Sequence, residues 1–180
     1  MSGRTLIALA AAGGVAAWMA GMAPGAVVPE AAVAAFASVK VPSNVSVFEE
    51  TKTYPIRGRT GAELIAQMQA NGPKGFWAYT NWYVRWDRSC YVRLSIRYTL
   101  PEWVDKQNAP PELQRTWEHM IDRLRHHELG HGQHGKHAAQ EIGDSSCRNA
   151  PHLIVRKWSR KDREYDAQTG HGKTQGVALR

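Results

Sequence analysis

The chain has 180 residues, with 23 Lys plus Arg against 16 Asp plus Glu, a formal net charge of +7 and an apolar fraction of 43%. That length suits one domain, and seven Trp with six Tyr offer enough burial to exclude a disordered chain. The basic balance alone would point to a polyanionic partner.

An uncharged run from Thr5 to Ala23 follows Arg4, and an Ala-rich stretch ends at Ala35-Phe36-Ala37. This pattern reads as an export signal, with small residues favouring cleavage after Ala37, whereas a cut after Ala23 would set Pro24 beside the scissile bond. Residues 1–37 are therefore expected to be a signal peptide, and 38–180 a single domain that is periplasmic or secreted. The alternative is a retained anchor, because the 19 residues from Thr5 to Ala23 are just long enough to span a bilayer. After cleavage no membrane span is expected. In an oxidising compartment Cys90 and Cys147, the two cysteines, should pair with each other.

Residues 44–58 favour a strand, and Thr60 is a helix cap before helix formers that run to Ala70 and stop at Asn71-Gly72-Pro73. Phe76, Ala78, Thr80, Trp82, Val84 and Trp86 then alternate with a second, more polar set. After Asp87-Arg88-Ser89 the same parity resumes with Cys90, Val92, Leu94, Ile96, Tyr98 and Leu100. Two strands of one antiparallel hairpin, with one buried face, are expected, the second ending at Pro101. Pro110-Pro111 opens a helix from about 111 to 140, whose apolar residues Leu113, Trp117, Met120 and Leu124 step by 4, 3 and 4. Continuing that stripe reaches His127, His131 and His134, so imidazoles stand on the line that faces the core. Residues 152–180 read as a basic tail.

His127-Glu128-Leu129-Gly130-His131 has the His-Glu-x-x-His pattern. Residues four apart on a helix share a face, so both imidazoles can reach one ion at about 2.0–2.1 Å, while Glu128 is offset beside it. That is where a base for a metal-activated water belongs. One zinc ion is the expected cofactor. Two His leave a zinc site too open, so a third ligand is needed. His134 shares the face but lies a further turn along the axis. His137 has the spacing of the third His in His-Glu-x-x-His-x-x-Gly-x-x-His enzymes, although His134 stands where that pattern has Gly. Gly130, Gly132 and Gly135 weaken the helix by about 1 kcal/mol each relative to Ala, which leaves a bend open. Glu164, Asp166 and His171 are the candidates downstream.

Cys90, the strand end Leu100-Pro101-Glu102-Trp103, Trp117, the His127–His131 motif, Cys147 and the closing Tyr165-Asp166-Ala167-Gln168-Thr169-Gly170-His171-Gly172 together resemble a bacterial family catalogued as domain of unknown function 922, described as predicted secreted zinc-dependent proteases. The resemblance covers most of residues 44–176. It implies a minimal zincin-like α+β fold, with a small antiparallel sheet, the long motif helix and a C-terminal segment folded back over the site. It also implies His171 as third ligand, Asp166 as a residue orienting a ligand His, and Tyr165 as a donor to the oxyanion of the tetrahedral intermediate.

The function expected is that of an exported zinc metallopeptidase acting on a peptide or protein. The alternative is a non-catalytic periplasmic metal-binding protein, which would use the His-rich stretch from His126 to His137. The charge belongs to the predicted mature part, which keeps 22 basic and 15 acidic residues; residues 148–180 hold 8 and 3 of these. For an exported chain an anionic envelope surface is the natural partner of that segment, and nucleic acid is not expected.

Overall fold

The computed structural model describes residues 2–4 and 40–179. The expected signal peptide therefore lies almost wholly outside the described residues, including Ala35 and Ala37. Of it, only Ser2–Arg4 is described, as a short strand, β1. The elements that follow are β2 (Val45–Ile56), α1 (Gly61–Asn71), β3 (Tyr79–Trp86), β4 (Val92–Trp103), α2 (Pro111–Asp144) and α3 (Pro151–Thr169). The fold is α+β, as expected.

The sheet is mixed and not antiparallel throughout. Its strand order is β1-β3-β4-β2, with β3 antiparallel to β4 but β2 parallel to β4 in the register Val45↔Val92 to Ile56↔Trp103. The connection from Ile56 to Tyr79 explains this, because its length and its helix α1 carry the chain past one strand position. The β3–β4 hairpin then returns β4 to the gap. β4 also runs through Pro101 to Trp103, beyond the expected stop. The pairing with β3 ends at Thr99, so Pro101 lies where β4 has a neighbour on one side only and its missing N–H costs no ladder bond.

The predicted parity holds along β4, where Cys90, Val92, Leu94, Ile96, Tyr98 and Leu100 are all buried. It holds in β3 for Thr80, Trp82 and Val84 and fails at both ends, where Tyr79 of the polar set is buried and Trp86 is exposed. Thr60 caps α1 by accepting from the Glu63 amide, and Glu63 in turn accepts from the Arg59 amide. Cys90 and Cys147 form a disulfide between the β3–β4 turn and the segment after α2. Asn44 Nδ2 donates to the Cys90 carbonyl at 3.0 Å beside it.

Helix α2 is continuous for 34 residues, about 50 Å, and is not broken at its glycines. Those glycines serve close packing. A Cβ at Gly132 would collide with the Tyr98 hydroxyl, one at Gly135 with Trp82, and one at Gly130 with the Tyr165 ring. The buried stripe of α2 joins two apolar clusters. Trp117, Met120 and Leu124 pack with Ile56, Leu64 and Trp103, whereas Ala138, Ala139 and Ile142 pack with Val84, Leu94 and Ile154. His127, Glu128 and His131 occupy the interval between them. Residues 151–169, read from sequence as tail, form helix α3, which folds back along α2.

Candidate metal centre

Two helices and one strand supply the centre. From α2, His127 and His131 stand one turn apart and fully buried. From α3, Asp166 faces them: its Oδ1 is 3.2 Å from His127 Nε2 and 3.3 Å from His131 Nε2, while the two Nε2 atoms are 3.1 Å apart. The other ring nitrogens are fixed from behind. His127 Nδ1 donates to Gln175 Oε1 at 2.7 Å, and His131 Nδ1 donates to Asp162 Oδ1 at 2.9 Å. With their protons held at Nδ1, both rings turn Nε2 lone pairs toward the Asp166 carboxylate.

Three electron-rich atoms at this spacing repel one another unless a cation lies among them. Ligand atoms 2.0–2.1 Å from a tetrahedral ion stand about 3.3–3.4 Å apart, close to the sides of this triangle. The three residues can therefore hold a metal ion. With no ion bound, a proton on His131 can relieve that repulsion. Burial works against it, but the hydrogen bonds to Asp162 and Asp166 prevail and raise the His131 pKa from 6.5 to about 9. Asp166 is shifted down, burial again opposing and the bonds to His127 and His131 deciding.

Glu128 is buried beside the triangle. Its Oε2 accepts from Thr80 Oγ1 of β3 at 2.5 Å, and its Oε1 is buried with no hydrogen-bond partner. Burial raises its pKa, against the lowering effect of His131, His127 and the Thr80 bond. An orphaned carboxylate oxygen next to three converging lone pairs is suited to one further polar molecule, such as a water with a proton to give.

The remaining sequence candidates separate cleanly. His134 Nδ1 donates to Asp162 Oδ1 at 2.8 Å, so it shares the carboxylate that orients His131. His137 stacks on Trp158 with ring centroids 4.8 Å apart. Glu164 is on the surface, 3.5 Å from Arg160. His171 is half-exposed, its Nδ1 3.4 Å from Asp166 Oδ1, so it touches the carboxylate and not the two rings. Tyr165 stacks on the His127 ring at 4.9 Å, and its hydroxyl accepts from Gln175 Nε2 at 2.9 Å. Asp166, expected to orient a ligand, thus stands at the triangle itself, and Asp162 and Gln175 do the orienting. Sequence reading missed Asp162, Gln175 and Thr80. The one available signal was the four-residue step from Asp162 to Asp166, which puts both carboxylates on one helical face.

Residues 51–172 match the family described as "Bacterial protein of unknown function (DUF922)". The chain belongs to that family. No curated protein and no solved structure matches it. The DUF922 match takes in Thr80, His127, Glu128, His131, Asp162 and Asp166, and it ends at Gly172, three residues before Gln175. The bacterial family and the disulfide are compatible with export, and among the described residues no helix is long and apolar enough to cross a membrane.

Proposed function

We propose that this chain is an exported zinc-dependent peptidase with a minimal zincin-like site, in which His127, His131 and Asp166 hold the metal and Glu128 is the general base. A mixed N/O donor set at this spacing would suit zinc. Such an ion, when bound, lowers the pKa of a coordinated water toward about 7 and polarises a carbonyl. Glu128 accepts a proton at Oε1 and returns it to the leaving amine; Thr80 holds Oε2 so that Oε1 points to the reacting water. Asp162 and Gln175 keep each imidazole in the tautomer that presents Nε2. Tyr165 walls the His127 ring, with its hydroxyl held by Gln175. His171, the half-exposed neighbour of Asp166, is the imidazole nearest that carboxylate from the turn after α3.

The single observation that carries this reading is the orphaned Glu128 Oε1 next to the converging triangle. A purely structural ion needs no buried base beside it. The near-complete burial of His127, His131 and Glu128 favours a second reading all the same, a closed metal centre that only holds α2 to α3. Metal analysis and a peptide-cleavage assay on wild type and Glu128→Gln separate the two. The peptidase reading expects one zinc in each protein and cleavage slowed at least about 100-fold in the variant. Zinc in both with no cleavage by wild type leaves the structural centre, and equal cleavage by both removes Glu128 as base.

A further inference from the structure

Helix α3 has two unlike faces. Its inner face carries Ile154, Val155, Asp162 and Asp166, all buried against the sheet and α2. On its outer face Leu153, Arg156, Arg160 and Arg163 follow at steps of 3, 4 and 3, which sets them in one line along about 15 Å of helix. All four are exposed, Leu153 to 51%. Because both aspartates of α3 turn inward to the metal centre, Glu164 is the only acidic side chain the helix shows outside. It is engaged with Arg160 at 3.5 Å. The surface of α3 is therefore far more cationic than its composition.

We propose that this face docks on an anionic phospholipid surface, with Arg156, Arg160 and Arg163 against the phosphate headgroups and Leu153 entering the boundary between headgroups and acyl chains. The arginine line alone fits any phosphate-rich polymer, since guanidinium groups pair with phosphate oxygens wherever they meet. Leu153 decides for lipid. An exposed apolar side chain at the N-terminal end of a cationic line gains nothing from a hydrated polymer, but it gains burial at the acyl boundary. Asp166 is on the same helix, so docking fixes the orientation of the metal centre to the surface. The inference does not depend on whether that centre hydrolyses peptides.

The test is co-sedimentation of the full chain with vesicles of phosphatidylcholine alone and of phosphatidylcholine mixed with phosphatidylglycerol. Wild type is compared with Arg156→Glu/Arg160→Glu/Arg163→Glu, with the same triple change to Gln, and with Leu153→Ser. Any lipid affinity of residues 1–37 is common to all four proteins, so comparing the ratio of the two partition coefficients from protein to protein cancels it. Each arginine contributes about fivefold near an anionic surface, so the Glu variant should lose about 100-fold or more of the preference for the anionic vesicles, with the Gln variant approaching it. Salt should erode that preference in wild type and not in the Glu variant. Leu153→Ser should weaken binding to the anionic vesicles with its salt dependence kept. An unchanged ratio in both triple variants overturns the proposal. So does a Leu153→Ser protein that binds as wild type while inorganic polyphosphate displaces both, because that outcome describes a phosphate-polymer strip.

Discussion

Thr80 Oγ1 donates to Glu128 Oε2 at 2.5 Å, a bond from the sheet to the motif helix that fixes which carboxylate oxygen remains free. Thr80→Val keeps the shape and removes the donor. With a second oxygen of a buried carboxylate left unpaired, the variant should lose about 1–3 kcal/mol in denaturant unfolding while still binding metal. Peptide cleavage, if wild type shows it, should fall with kcat more than with KM.

Asp162 accepts from His131 Nδ1, His134 Nδ1 and Trp82 Nε1. Asp162→Asn can donate where His131 needs an acceptor, so it should favour the wrong tautomer and present a proton at Nε2. Metal affinity measured by competition with a chelator should drop about 10–100-fold. Glu164→Gln, on the exposed side of the same helix, should leave it unchanged.

The metal-free protein should become less stable as pH rises. His131 has a folded-state pKa near 9 against 6.5 when unfolded, so its contribution is complete below about pH 6.5 and is lost as pH climbs through about 9. Glu128, raised by burial, acts in the same direction. Thermal midpoints recorded across that window should fall without metal. They should fall less or rise with saturating zinc, because binding needs the deprotonated imidazoles.

The Cys90–Cys147 bridge spans 57 residues of sequence. Loop-closure entropy for that length amounts to about 4 kcal/mol, so Cys90→Ser/Cys147→Ser should be destabilised by roughly 2–4 kcal/mol in denaturant unfolding. Gly132→Ala should cost about 1–3 kcal/mol, since its methyl group has no room against the Tyr98 hydroxyl.

Much of the centre was legible because α2 writes its buried face in one code. Trp117, Met120 and Leu124 set a stripe, and His127 and His131 continue it in register. The period-two strands and the Thr60 cap were readable for the same local reason. Helix α3 was not, because at Asp162 and Asp166 its inner face carries carboxylates where a sequence pattern looks for apolar residues. A stripe satisfied by imidazoles on another helix leaves only the step from Asp162 to Asp166 as a signature within its own segment. The parallel pairing of β2 with β4 was hidden similarly, since register between distant strands depends on where α1 delivers the chain. Gln175 reaches His127 from a turn in which Gly170, His171 and Gly172 all have positive φ, a path that spacing alone does not trace.

The disulfide joins the bend between α2 and α3 to the tip of the β3–β4 hairpin, whereas Asp166 and Gln175 come from the opposite, C-terminal end of α3. The two helices thus form a pair of tongs with a covalent rivet at the hinge, and near the jaws a bound cation would add its grip to the hydrogen bonds of Asp162 and Gln175 and to the packing of Val177 and Leu179. Stripping the ion should let the jaws part while the hinge holds, so that loss of metal loosens the last turn of α3 and the residues after it long before it unfolds the sheet.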